Sequence, residues 1–205
     1  MKRFLVGLLL LVLIAPMTVK ADEIIIGTGT VTTYSAPFNN FYKNSWNETI
    51  YPASSFSSAC VINSVAYEVA TASPVTMSTL KIYMGETSRS TFSSTSDWTP
   101  ESDLTLVYSG TNVVIGSTTG WQEIQLDSPF TYEGEDNLVI VVSKTTANYS
   151  SSLKFYYTSE TNTCMYRQSD SDLSYAEYPT GVGTRTAYKA NVKLNVTPFV
   201  LTCHK

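Results

Sequence analysis

The chain has 205 residues, of which 15% are charged and 43% are hydrophobic, and its formal net charge is −4. This length and apolar content suffice for one substantial hydrophobic core, so a single domain is expected. Fourteen tyrosines against a single histidine, with many serines and threonines, favour strands and turns over helices. Residues 22–205 contain seventeen acidic and ten basic side chains, a balance that argues against a nucleic-acid partner.

The first 21 residues have the pattern of a secretory signal peptide. Lys2 and Arg3 form a positive start, residues 4–17 are mostly apolar, and residues 19–21 resemble a cleavage site. The apolar run is shorter than the roughly 20 residues that cross a bilayer, so a retained membrane anchor is the weaker alternative. We therefore expect cleavage after residue 21, no transmembrane segment in the mature chain, and a protein that is secreted or held at the cell surface.

Short segments with strand periodicity follow along the first half of the mature chain. Leu80, Ile82 and Met84 share one face of a predicted strand, which is typical of a strand with one side in the core. Further strands are predicted at residues 24–26, 45–51, 61–69, 104–108 and 113–115. The polar stretch at residues 85–102 is longer than most connections in compact domains, and loops of that kind often carry function.

The clearest pattern lies in residues 121–143. Ile124 and Leu126 alternate with polar neighbours and predict a half-buried strand, whereas residues 138–142 form an unbroken apolar run that predicts a strand covered on both faces. An acidic turn at residues 133–136 joins them, so a central hairpin is expected.

Weaker strands follow at residues 153–158 and 165–169, and a clean alternating strand ends the domain at residues 192–196. Turn signals recur about every 8–15 residues without a helical period. The sequence therefore predicts an all-β, single-domain fold, a jelly-roll-like antiparallel β-sandwich, over residues 22–198, with a short tail at residues 199–205.

Several blocks resemble a β-sandwich module found in secreted and surface proteins of Bacteroidetes-type bacteria. They are residues 80–87, 92–100, 104–110, 120–130 and 137–140. The similarity runs over about residues 26–196. It implies an exported, adhesin-like protein, often placed beside fibronectin-like modules and associated with carbohydrate rather than with catalysis.

The chain offers few candidate catalytic groups. His204 is the only histidine and stands next to the C terminus, so a Ser/His/Asp centre would place its base on the chain end. Acidic clusters suit solvated turns better than the two facing carboxylates of a glycosidase. Asp97, Asp103 and Asp136 are candidate calcium ligands, because calcium accepts carboxylates and loop carbonyls, and no other cofactor is expected.

Three cysteines in an exported chain allow one disulfide and leave one thiol over. Cys60 and Cys164 are the candidate pair, with Cys203 in the tail, and buried free thiols are the equal alternative.

Tyrosines crowd the final third of the chain. A tyrosine ring offers a flat apolar face with a polar tip, which suits stacking on sugar rings or on a protein partner. Tyr149, Tyr166, Arg167 and Tyr175 are the candidate ligand-binding residues, although alternation along strands allows only part of such a set to share a face. The alternative is that these rings fill the core or decorate strands.

These observations together predict an exported, non-catalytic binding or adhesion module directed at a polysaccharide or a host or cell-surface glycoprotein. The alternatives are a structural spacer from a larger surface protein and a small glycan-active hydrolase. A binding module should show an exposed aromatic cluster beside a concave face, and a hydrolase should show two carboxylates across a cleft.

Overall fold

Antiparallel strands supply nearly all the regular structure of residues 21–199, which are the residues that this computed structural model describes. Residues 1–20 of the predicted signal peptide, and Cys203 and His204 in the predicted tail, lie outside the described residues. The strands are β1 Asp22–Ile26, β2 Val31–Thr33, β3 Asn44–Tyr51, β4 Cys60–Thr71, β5 Val75–Thr87, β6 Thr105–Ile115, β7 Gly120–Tyr132, β8 Asn137–Thr146, β9 Lys154–Ser169, β10 Thr184–Ala190 and β11 Val192–Pro198. No helix within residues 21–199 is long and apolar enough to cross a membrane.

The strands form one continuous sheet that folds over on itself. Its order is β1-β11-β4-β9-β3-β8-β5-β6, with β7 beside β4 and with β2 and β10 beside β9. We call β1, β11, β4 and β7 the first half, and β3, β8, β5 and β6 the second half. β9 joins them, because its start pairs with β4 and its end pairs with β3. The predicted all-β single domain is confirmed, and its two layers belong to a single curled sheet.

The main core lies between the two halves. Val65, Tyr67 and Leu194 point inward from the first half, and Leu80 and Ile82 point inward from the second, all buried. Each such aliphatic side chain contributes about 1.5–3 kcal/mol on burial, so the alternating inward positions drive the fold-over.

β8 is buried on both faces, as its apolar run predicts. Leu138, Ile140 and Val142 belong to the main core, while Val139 and Val141 lie in a second apolar cluster on the outer face of the second half. That outer face is covered by two irregular stretches, residues 88–104 and residues 172–183. We call them the first and second covering segments.

The predicted central hairpin does not form. β7 pairs with β4, whereas β8 pairs with β3 and β5, so the turn at residues 133–136 carries the chain from one half of the sheet to the other. The different burial of β7 and β8 explains why the two strands do not pair with each other. β7 has one apolar face and suits a half with solvent outside, and β8 has two and suits the half that the covering segments enclose.

The predicted Cys60–Cys164 disulfide is also absent: both cysteines are buried free thiols. Cys60 begins β4 opposite Tyr132 and Pro198, while Cys164 stands within β9 opposite Thr49. The two thiols therefore face different neighbours, and the alternative of buried free thiols is the one observed.

Candidate functional site

A cleft of about 580 Å³ opens on the outer face of the second half, between the two covering segments. We call it the aromatic cleft. It is lined by Trp46, Lys81, Tyr83, Glu101, Leu104, Leu106, Ala176, Glu177, Tyr178 and Thr180.

The floor of the aromatic cleft is set by strand register. Trp46 of β3 stands opposite Ser143 of β8, which stands opposite Lys81 of β5. Residues directly opposite each other in an antiparallel pair point to the same face, so this row projects outward. Tyr83 lies two positions further along β5 and therefore projects outward as well.

The aromatic rings of the cleft touch one another. Trp46 lies 5.2 Å from Tyr83 in a tilted arrangement and 5.9 Å from Tyr178 in an edge-on one, measured between ring centroids. Trp46 is only 1% exposed, so it supports the floor, while Tyr83 and Tyr178 are half-buried and present ring surface to the cleft. Partial burial raises the pKa of both Tyr83 and Tyr178, so both phenols stay neutral.

Glu48 projects to the same face as Trp46, two residues along β3, and is a fully buried carboxylate that connects the parts of the site. Its Oε1 accepts from the Trp46 indole Nε1 at 2.9 Å, and its Oε2 accepts from the Thr99 backbone N–H at 3.0 Å. The Thr99 carbonyl in turn accepts from the Tyr178 hydroxyl at 3.1 Å. One carboxylate thus connects the indole under the cleft, the first covering segment and a tyrosine of the second.

Three charged side chains surround the opening. Glu101 belongs to the first covering segment, Glu177 to the second, and Lys81 to the sheet beneath. Within residues 21–199 none of the three forms a salt bridge, so their oxygens and nitrogen are free of ionic partners there. Carboxylates accept and an ammonium donates, a combination that can bind several hydroxyl groups in different directions.

The covering segments are held to each other as well as to the sheet. The Trp98 indole donates to the Gly181 carbonyl at 2.7 Å, and Gly183 N donates to Thr95 O at 2.6 Å. Arg185 at the start of β10 donates to the carbonyls of Phe92 and Ser93 at 3.0 and 2.9 Å. The walls of the cleft are therefore fixed by hydrogen bonds that cross from one segment to the other.

Two of the four ligand-binding residues predicted from the sequence, Arg167 and Tyr175, bring their side chains together beside this cleft. Tyr166, Arg167 and Tyr175 line a shallow pocket of about 210 Å³. The Arg167 guanidinium carbon lies 4.5 Å from the Tyr175 ring centroid, and its Nη2 donates to the carbonyl of Ser174. Because Arg167 stands directly opposite Trp46, this pocket adjoins the aromatic cleft. Alternation along β9 turns the ring of Tyr166 to the opposite face from Arg167.

Tyr149, the fourth predicted residue, lies elsewhere. It is 59% exposed, and its ring centroid lies 5.8 Å from that of Phe41, which also contacts Tyr34 and Tyr42. We call these four residues the tip cluster.

The structure does not bring Asp97, Asp103 and Asp136 together. Asp97 accepts from Arg89 Nη1 at 2.7 Å through one oxygen and from Ser93 N at 2.6 Å through the other. Asp103 lies in the turn Glu101–Asp103, and Asp136 lies in the turn before β8. Within residues 21–199 no three His, Cys, Asp or Glu side chains are placed to hold a metal ion.

The residues of the aromatic cleft were not among those predicted from the sequence to bind a ligand. Lys81 and Tyr83 alternate with the inward-facing Leu80 and Ile82, so their outward direction was readable from the sequence. The covering segments that turn this outward face into a cleft were not readable, because residues 88–104 and 172–183 have no periodic pattern.

No protein-family model matches the sequence, and no curated protein matches it. Among solved structures, the chain is similar to the crystal structure of the cysteine protease and lectin-like domains of Cwp84, a surface layer associated protein of Clostridium difficile, with a TM-score of 0.41 and 13% identity. The match covers 76% of this chain and 32% of that chain, so this chain spans about a third of its length. Similarity at this level establishes neither a shared family nor a shared ligand.

Proposed function

We propose that this protein is an exported, non-catalytic binding module that holds a carbohydrate in the aromatic cleft. The observation that carries the proposal is the presence of two half-exposed tyrosine rings, Tyr83 and Tyr178, in one concave site with three charged groups that form no salt bridge within residues 21–199. A sugar ring offers apolar C–H faces for stacking and hydroxyls at its edge, and this cleft offers the complement of both.

The rigidity of the walls supports binding. Glu48, Thr99 and Trp98 fix the rings and the covering segments by hydrogen bonds within the protein. A ligand that enters a site already ordered avoids the entropic cost of ordering it. Export follows from the signal-peptide pattern of residues 1–21, and we include secretion or surface display in the proposal on that basis.

A glycan array with the mature chain, residues 22–205, tests the proposal first. For the glycans that bind, calorimetric titration of Tyr83→Ala and Glu177→Gln should show binding weakened at least about tenfold for Tyr83→Ala, the effect of one lost stacking contact. Glu177→Gln should weaken binding by a smaller factor, since an amide keeps one acceptor oxygen. Circular dichroism confirms that both variants keep the strand signal.

Tyr149→Ala and Tyr175→Ala are the matched controls, because both remove tyrosine rings outside the aromatic cleft. We expect Tyr149→Ala to bind like the parent. Loss of binding in Tyr149→Ala with none in Tyr83→Ala would move the site to the tip cluster. Loss in Tyr175→Ala alone would move it to the pocket of Arg167. An array without a single bound glycan would instead favour the structural spacer.

A glycan hydrolase is the second candidate, favoured by one observation: Glu101 and Glu177 come from different covering segments and line the same cleft. A glycosidase needs such a pair of carboxylates, one of them as acid. Release of reducing ends from a bound glycan, abolished by both Glu101→Gln and Glu177→Gln, would establish it. We expect no release.

A further inference from the structure

We propose that the protein carries a second carbohydrate-binding groove on the opposite side of the molecule, outside the first half of the sheet, which makes the chain bivalent. The ligand class follows from the function proposed for the aromatic cleft, and the second groove takes the same chemistry: a neutral oligosaccharide held by ring stacking and by hydroxyl contacts.

This groove, about 380 Å³ in volume, lies on the outer face of the first half. We call it the N-terminal groove, because the connection between β1 and β2 forms one of its walls. It is lined by Ile25, Gly27, Thr28, Gly29, Thr30, Glu68, Trp121, Tyr156 and Asn191.

Trp121 and Tyr156 provide the aromatic surface. Trp121 stands directly opposite Glu68, on the face of the first half that points away from the main core. Its ring lies 6.0 Å from the ammonium of Lys193, which also pairs with Glu23 at 2.8 Å. An indole supported from one side in this way keeps its orientation while its other surface faces the groove.

Asn191 builds the groove from beneath. It is 1% exposed, its Nδ2 donates to the Gly29 carbonyl at 2.9 Å and to Glu68 Oε2 at 3.0 Å, and its Oδ1 accepts from the Thr158 hydroxyl at 3.0 Å. The Thr158 hydroxyl also accepts from Thr28 N and Gly29 N at 3.0 Å. A single buried amide thus fixes both the wall of the groove and the carboxylate beside the indole.

The wall itself depends on close backbone contact. A Cβ on Gly29 would lie 1.9 Å from the carbonyl oxygen of Tyr157, and one on Gly27 would lie 2.7 Å from Asn191 Oδ1, at a φ of +93°. Only glycine fits both positions. The N-terminal groove is therefore an ordered site whose carboxylate has one oxygen, Oε1, without a hydrogen bond to the protein within residues 21–199.

The two sites cannot share one sugar. The aromatic cleft lies outside the second half and the N-terminal groove lies outside the first, with the main core between them. A long polysaccharide can therefore be bound at either site, and two polysaccharide chains can be joined by one protein molecule.

Indole resonances test the proposal, because Trp121 lies in the N-terminal groove and Trp46 lies in the aromatic cleft. The ¹⁵N-labelled mature chain is titrated with cellohexaose, xylohexaose and mannohexaose, and each indole N–H is followed by heteronuclear NMR. We expect at least one hexasaccharide to shift the Trp121 resonance, with or without Tyr83→Ala. The apparent affinity obtained from this shift should fall at least about tenfold in Glu68→Gln or Tyr156→Ala. Glu123→Gln, a carboxylate on the same face outside the groove, is the matched control.

The outcomes separate the two sites. A response at Trp46 with none at Trp121 would overturn the second groove and leave the proposed function intact. A response at Trp121 alone would support the groove and count against the aromatic cleft. No shift of either indole resonance with any of the three hexasaccharides would overturn both proposed sites. With both sites filled, calorimetry should give two sugars per chain, and one in Trp121→Ala.

Discussion

At the scale of single residues, the buried carboxylate of Glu48 supports the aromatic cleft but destabilises the folded state. Burial raises the pKa of Glu48 above its ordinary value of 4.5, because a carboxylate without water is destabilised more than a carboxylic acid. The hydrogen bonds from Thr99 and Trp46 and the charge of Arg89 offset only part of that cost. A neutral side chain would be cheaper, but a carboxylate accepts from both N–H donors at once.

Glu48→Gln should therefore change the pH dependence of stability. A raised folded-state pKa means that the contribution of Glu48 is fully present below the unfolded pKa and is lost as pH rises through the folded one. The free energy of unfolding of the parent, relative to the variant, should fall as pH rises above 4.5. Urea denaturation at four pH values measures it, and a difference that grows with pH would contradict the assignment.

Lys144, near the C-terminal end of β8, is a buried base whose pKa shifts in the opposite direction to that of Glu48. Burial lowers its pKa to about 7, against the opposing charge of Asp170, and its ammonium donates to the carbonyls of Tyr42 and Lys43. Those carbonyls belong to the stretch before β3 that carries Phe41 of the tip cluster.

Lys144→Met should remove a pH-dependent cost. Because the folded pKa is depressed, the contribution of Lys144 is fully present above the unfolded pKa, near 10.5, and is lost as pH falls through about 7. The parent should therefore gain stability relative to Lys144→Met as pH rises from 7 to 10. A flat difference over that interval would show that Lys144 titrates near its ordinary value.

At the scale of elements, the sequence predicted those strands whose pattern is local. The β-branched run of β8 identified a strand buried on both faces, and the alternation of Leu80, Ile82 and Met84 identified the inner face of β5. The partner of β7 was not predictable from its turn, because turn chemistry reports a reversal of direction and not whether the flanking strands pair.

β3 was the harder case. All eight of its residues are buried, although five of them are Asn, Ser, Glu or Thr. Hydrogen bonds offset part of the cost of that burial: Asn47 donates to the Ser35 carbonyl at 2.8 Å, and Glu48 accepts from Trp46 and Thr99. Within residues 21–199 the Ser45 hydroxyl and Asn47 Oδ1 are buried without a hydrogen-bond partner. Ser35 and Thr99 lie outside β3, so no pattern within the strand could indicate that it is central.

Gly183→Ala tests the contact between the covering segments. A Cβ on Gly183 would lie 2.4 Å from the Trp98 ring and 2.9 Å from the carbonyl oxygen of Tyr166. The indole would have to move, and with it the hydrogen bond to Gly181. We expect a loss of about 1–3 kcal/mol in unfolding free energy and weaker binding at the aromatic cleft.

Gly181→Ala is the matched control, because a Cβ there meets nothing within 4 Å. It should leave both stability and binding close to the parent. Equal effects of the two substitutions would mean that the Trp98 contact does not hold the cleft walls.

At the scale of the whole molecule, one core between two halves of a single sheet predicts that the fold opens as a unit. Small domains of this kind unfold cooperatively, because the inner apolar faces of the two halves are buried only against each other. Cys60 and Cys164 report on this, since they lie at different places in the core and both are buried.

Thiol labelling should therefore follow global unfolding. Burial raises the pKa of Cys60 to about 11 and of Cys164 to about 12, so neither forms a reactive thiolate in the folded protein near neutral pH. In a Cys203→Ser chain, we expect no labelling by a thiol reagent under native conditions, and two labels per molecule in denaturant without reductant. Both labels should appear with the same midpoint as the circular dichroism transition.

Absence of label in denaturant would mean that the two cysteines are joined by a disulfide in the purified protein. Labelling of one thiol well before the other would mean that one half of the sheet opens alone, so that the aromatic cleft and the N-terminal groove could lose binding at different denaturant concentrations.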